Sequence, residues 1–357
     1  MTITFDRHSG SAATTQRSRS GRTRTVARAV ANRTYLPVCF LTLGAAVLIA
    51  IGWISHWGGA NFTGTLFSVR VSVIGPATLV IIAILMIAER VWPAQQRSPV
   101  ARGYRQDVLY TILNSTLTLP LIAALSLSFS AVVRARLPWL TFPRFAALPH
   151  LLVVGAIIVA MDGCNWAAHL ANHRSNSLWR FHEVHHSQED MSVLTVFRTH
   201  PFVHIVYTVA LIPGIVLLAN GGLSTGLLIA YAGSVALAHS NIRLSFGPVL
   251  GRIFVSPNFH RIHHRLEGRQ DVNLGFALTI WDQMFKTAVF PTKDTVGIDT
   301  GLPGRTLIVE QEGVKPHHFK VFLAQLAAPW RPMSAEARAT PLNADEPIEM
   351  KVPCKTP

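Results

Sequence analysis

The chain has 357 residues, half of them hydrophobic and only 14% charged. Soluble domains carry about a quarter charged residues, so the shortfall points to a bilayer as solvent rather than water. The formal charge of +14 does not read as nucleic-acid binding. The arginines sit in short segments beside apolar runs, as in the loops of membrane proteins, and no RNP-like aromatic pattern accompanies them.

Residues 1–33 carry seven arginines against one acidic residue, Asp6. They read as a basic disordered tail, although the composition also resembles a transit peptide. Residues 34–149 are expected to hold N-terminal membrane spans, with apolar runs at 36–54, 71–88 and 108–133. A fourth run covers 150–168, and two more, 203–219 and 223–238, flank the turn signal Asn220-Gly221-Gly222. Arg90, Arg97, Arg102 and Arg105 place the segment after the second run in the cytoplasm. The loop Arg134–Pro149 is also basic yet falls on the outer side, so the third and fourth runs either cross or form a re-entrant pair. Residues 291–357 read as a cytoplasmic tail with a short surface helix over His318–Leu326. Counted from a cytoplasmic N-terminus, 169–202 and 239–290 both face the cytoplasm. The three cysteines, Cys39, Cys164 and Cys354, are too scattered for a disulfide framework or an iron–sulfur site.

Sixteen histidines are the informative residues. His169 and His173 are spaced i, i+4, one turn apart on a helix. His182, His185 and His186 form an HxxHH group, and His260, His263 and His264 form a second, each with i, i+3, i+4 spacing. Two lone histidines bracket the apolar hairpin and are candidates to complete the set, His200 in Arg198-Thr-His-Pro201 and His239 before Asn241. Eight clustered histidines exceed what one metal takes and suit two metals sharing a site. Imidazole binds Fe, Zn, Cu or Ni, so ligand type does not name the metal. The full set of carboxylate-bridged di-iron bundles, two Glu plus two Glu-x-x-His motifs, is absent. Asp162, Asn172, Glu183, Asp190, Asn273 and Asp282 are candidates to orient the imidazoles.

These boxes, with Phe181–Ser187, Ser256–His264, Asp271–Gly275 and Ile280–Thr287 around them, resemble the fatty acid hydroxylase/sterol desaturase superfamily over roughly residues 85–290. The chain departs from the family pattern at Phe202-Val203 after His200-Pro201, at Leu274 in place of Tyr, and at Lys286 in place of Gly. The resemblance implies an all-α fold of integral membrane helices with a cytoplasmic helical cap holding the metals, and a histidine-box hydroxylase/desaturase domain over residues 150–290. It also implies two non-haem iron ions, O2 as co-substrate, and hydroxylation or desaturation of a fatty acyl lipid or sterol. No dinucleotide fingerprint or haem attachment motif is present, so electrons are expected from a separate ferredoxin, cytochrome or reductase. The competing readings are a membrane metal-binding or metal-transport protein, and a catalytically silent relative with a structural metal. Transport would favour ionisable residues inside the spans, and these spans are nearly free of them.

Overall fold

Hydrophobic runs interrupted by Pro and Gly produce a mostly helical chain. The computed structural model describes residues 76–97, 102–217, 225–302 and 317–330. The expected tail at 1–33 and the expected span at 36–54 lie outside them. Among the described residues there is no β-strand; three isolated bridges, such as Phe254 with Leu278, tie loops together.

Helix α1 covers Pro76–Val91. A long helical stretch follows, α2 at Tyr104–Leu113 and α3 at Leu119–Arg136, joined by a π-helical turn at Asn114–Thr118. Pro120 follows this wide turn and has no N–H to donate back along the helix. Inside it the buried Asn114 amide donates to the carbonyls of Phe197 and Thr199, at 2.8 and 2.9 Å. The turn is thereby fastened to the chain segment that precedes His200.

Helix α4, His150–Arg174, is unbroken from the fourth apolar run into the first histidine pair. Ser175 ends it in an extended conformation and caps α5, Asn176–His186, by accepting from the Leu178 N–H. Then come α6 (Pro201–Tyr207), a 3₁₀ turn at Thr208–Leu211, α7 (Ile212–Leu217) and α8 (Thr225–His239). Short helices α9 (Gly247–Leu250), α10 (Pro257–His263) and α11 (Ile280–Met284) precede α12, His318–Ala327. Ser256 and Pro257 start α10 in the usual way, a serine cap followed by proline at the first helical position. Helix α4 packs against α5, α6 and α7, while α8 packs against α10 and α1.

Among the described residues, two stretches are long and apolar enough to cross a membrane, Tyr104–Arg136 and Leu151–Arg174. Of the runs expected at 203–219 and 223–238, the first contains a 3₁₀ turn at Thr208–Leu211 and the second is helical from Thr225 to His239 as α8. The helix expected near His318 is present, but it is not merely a surface element. Its Phe322 packs edge-on to Tyr110, 4.9 Å between ring centroids, and Leu326 is buried with it.

Candidate metal centre

The histidine boxes meet at the ends of α4, α5, α8 and α10. Nine histidines, all buried, form two groups, and within each group the candidate ligand atoms lie within 4.8 Å of one another. The first group is His169, His173, His182, His186 and His263; the second is His185, His239, His260 and His264. The groups abut, with the His186 and His264 rings stacked at 4.5 Å.

The boxes are shared between the groups in opposite senses. His182 and His186 serve the first group while His185, between them in sequence, serves the second. In α10 the assignment reverses: His260 and His264 serve the second and His263 the first. Helix geometry requires such a split. Positions i and i+4 lie about 40° apart around the axis, whereas i+3 and i+4 lie about 100° apart. Within each box, therefore, only the outer pair of rings serves one group.

The tautomers show what these groups can hold. His169 Nδ1 donates to the Leu274 carbonyl at 2.8 Å and His263 Nδ1 to the Val272 carbonyl at 2.9 Å. His239 Nδ1 donates to Val235 O at 2.8 Å, and His185 Nδ1 to Arg198 O at 3.3 Å. Each of these rings therefore presents an Nε2 lone pair. The His185 and His239 Nε2 atoms face each other at 3.1 Å, and His260 Nε2 is 3.0 Å from that of His239. Facing lone pairs repel unless a cation lies between them. In addition, His173 Nε2, His263 Nε2 and both ring nitrogens of His186 and His264 are buried without a hydrogen-bond partner. Orphaned buried nitrogens are costly unless something coordinates them. Burial, reinforced by neighbouring imidazoles, holds His182, His185, His186, His260, His263 and His264 well below the usual 6.5. Neutral rings with converging lone pairs fit a pair of transition-metal ions.

Residues 154–287 match the fatty acid hydroxylase family model. Over that stretch the chain is similar to the fatty acid hydroxylases. It is 29% identical over 287 residues to the ornithine lipid hydroxylase OlsE of Rhizobium tropici, a match covering 76% of this chain and 81% of that protein. It is 28% identical over 136 residues to an alkylglycerol monooxygenase of Caenorhabditis elegans, covering 35% of this chain and 25% of that protein. No solved structure matches the chain significantly.

One expected ligand is not brought to either group. His200 caps α6, its Nδ1 accepting from the Phe202 N–H at 3.1 Å while Nε2 donates to the Leu326 carbonyl at 3.2 Å. Both ring nitrogens are engaged by backbone, and Phe181 packs against the ring at 5.0 Å. His200 therefore ties α6 to α12.

The orienting groups also differ from expectation. Backbone carbonyls, not carboxylates, hold the four rings with fixed tautomers, and the acidic residues act one step behind. Asp282 accepts from the N–H groups of Leu274 and Gly275, from Trp166 Nε1 and from Thr287 Oγ1. It thereby fixes the loop whose carbonyls receive His169 and His263. Gly275 is required there, because a Cβ would lie 2.5 Å from Leu278 O. Asp162 accepts from Ala277 N, Leu278 N and the Tyr231 hydroxyl. Asn273, in a left-handed conformation, bonds Phe259 O and both the N–H and carbonyl of Val289. Asp190 accepts from Arg102 N, away from the rings.

Sequence reasoning missed Asp107 and Arg198. They form a buried ion pair, with the Arg198 guanidinium also donating to Ser187 Oγ (3.2 Å) and Gly103 O (2.7 Å) and Gln188 donating to Asp107. The carbonyl of this same Arg198 orients His185. An aspartate at the start of an apolar run was the available signal, since a charge there needs a buried partner.

Proposed function

We propose that the chain is a membrane-bound non-haem di-iron oxygenase that hydroxylates an acyl lipid, with O2 as co-substrate and electrons from a separate carrier. The observation that carries this reading is the pair of abutting groups of five and four neutral imidazoles inside a fatty acid hydroxylase domain. Five nitrogens exceed the four of a structural zinc site, which favours iron. His169, His173, His182, His186 and His263 would hold one ion and His185, His239, His260 and His264 the other. Bound iron supplies oxygen activation and attack on an unactivated C–H bond.

The protein's part is to hold the rings. The loop at 272–274 and the Arg198 carbonyl fix the tautomers, and burial keeps the rings neutral and water out. Inserting one oxygen atom into a C–H bond consumes two electrons and two protons and releases one water. With no nicotinamide or flavin fingerprint in the sequence, a ferredoxin, cytochrome or reductase is the expected source. Membrane placement rests on the stretches Tyr104–Arg136 and Leu151–Arg174, with the histidine groups toward the cytoplasm. Similarity to an ornithine lipid hydroxylase and an alkylglycerol monooxygenase favours hydroxylation over desaturation and makes an ornithine lipid the first substrate to test.

The test supplies the iron-loaded protein in nanodiscs with ornithine lipid, labelled dioxygen and a reduced ferredoxin. The reading expects one labelled oxygen atom in the acyl product, dependent on the donor and absent in His263→Ala. No incorporation across a panel of acyl and alkyl lipids by protein carrying both irons would overturn it.

A further inference from the structure

Residues 239–290, which flank and include the third histidine box, were expected to face the cytoplasm, clear of the bilayer. The structure presents an apolar surface there instead. Val249, Leu250 and Phe254 around α9, with Ile280, Met284 and Phe285 around α11, are 45–71% exposed. The two segments form one surface: Thr279 N donates to Ile253 O at 3.0 Å, Val255 N to Ala277 O at 2.9 Å, and Gln283 Nε2 to Arg252 O at 2.7 Å. Arg243, Arg252 and Lys286 are exposed beside it.

Its position along α4 is fixed by contacts. Phe285 stacks on Trp166 at 4.4 Å. The Trp281 ring lies so close to Gly163 that a Cβ there would sit 2.6 Å from it. The N–H groups of Ala277 and Leu278 reach Asp162. Only about 18 Å of helix (~1.5 Å per residue) separates His150 from Asp162. A hydrocarbon core of about 30 Å cannot be crossed in that length. If α4 spans the bilayer, α11 lies beside its immersed half. The exposed Leu151 and Leu152 on the same helix continue the apolar surface.

We propose that α9, α11 and the loop before α11 insert into the leaflet on the histidine side, with lipid acyl chains as the occupant of this surface. Arg243, Arg252 and Lys286 then meet headgroup phosphates, as basic residues flanking an interfacial helix do. The inner side of the same loop touches the first histidine group: Phe276 packs against His169 at 5.5 Å and against Tyr207 at 5.2 Å. The loop is thus the wall along which an acyl chain passes from leaflet to metal. This inference rests on the membrane placement in the proposed function.

The test uses the full chain, with its three cysteines replaced by serine, in nanodiscs of phosphatidylcholine and phosphatidylglycerol. Single cysteines at Leu250, Met284, Leu152 and Lys293 carry an environment-sensitive fluorophore. Doxyl-labelled phosphatidylcholine is the lipid quencher and iodide the aqueous one. The proposal expects Leu250→Cys and Met284→Cys to follow Leu152→Cys, quenched by doxyl lipid and several-fold less by iodide than Lys293→Cys. If both follow Lys293→Cys while Leu152→Cys is lipid-quenched, α4 is in the membrane and the insertion is wrong. If Leu152→Cys is also iodide-quenched, the membrane placement fails and the insertion fails with it.

Discussion

The two histidine groups share helices but are held by different parts of the molecule. The first has five rings, and two of them lean on the 272–274 loop, which Asp282 organises through four hydrogen bonds. The second has four, and its His185 leans on the Arg198 carbonyl, which the Asp107 ion pair organises. Because α5 and α10 each send rings to both groups, neither group can be assembled without the other. Their supports, by contrast, are separate. The paired groups are thus built from shared helices on independent foundations, and variants of the foundations should distinguish the groups where variants of the boxes cannot.

The largest expected effect comes from Arg198→Met, which leaves Asp107 buried without its cation. Breaking a buried ion pair from one side costs about 3–5 kcal/mol, read as a lowered unfolding midpoint. The affinity of the second group for metal should fall about 10–100-fold. Asp282→Asn should weaken the first group by the same ~10–100-fold factor with a smaller loss of stability, read by chelator competition. If both variants weaken the same ion, the separation of the supports is wrong.

Titration sharpens the comparison from another side. The six box histidines of α5 and α10 have folded values well below 6.5, by burial first and by neighbouring rings second. Below that pH the unfolded chain takes up protons that the folded chain does not, so metal-free protein should lose stability as pH falls through about 6.5. Denaturant melts across this range should show the decline, and bound metal should move its onset to more acidic pH.

His200→Ala should leave metal content unchanged and cost about 1 kcal/mol, the worth of a helix cap. A loss of metal would restore His200 to the ligand set. The smallest effect is expected at Lys286, which has φ of 58°, a conformation that costs a non-glycine residue about 1 kcal/mol. Lys286→Gly should therefore raise stability by about that amount, read as a raised unfolding midpoint.

The clustering of the histidines was legible because i, i+3 and i+4 spacing is a local signal, as is the placement of His239 at the end of α8. The division between groups was less so, since it depends on how α5 and α10 face each other. The supports were not legible at all: Arg198 lies 91 residues from Asp107, and His169 lies 105 from Leu274. His200 misled because a histidine before a proline beside the boxes looks like a ligand. Pro201 starts a helix, and the ring is consumed in capping it. The long α4 was plain from its apolar run, whereas the break in α6–α7 had only Pro213 and Gly214 to announce it.

The central claim is that the nine histidines hold two irons. Metal content per chain, measured after iron-replete expression, tests it most directly, with His263→Ala and His264→Ala alongside the unmodified protein. The account predicts about two irons per chain, with less in each variant. A fully folded chain that binds one metal ion or none would contradict it.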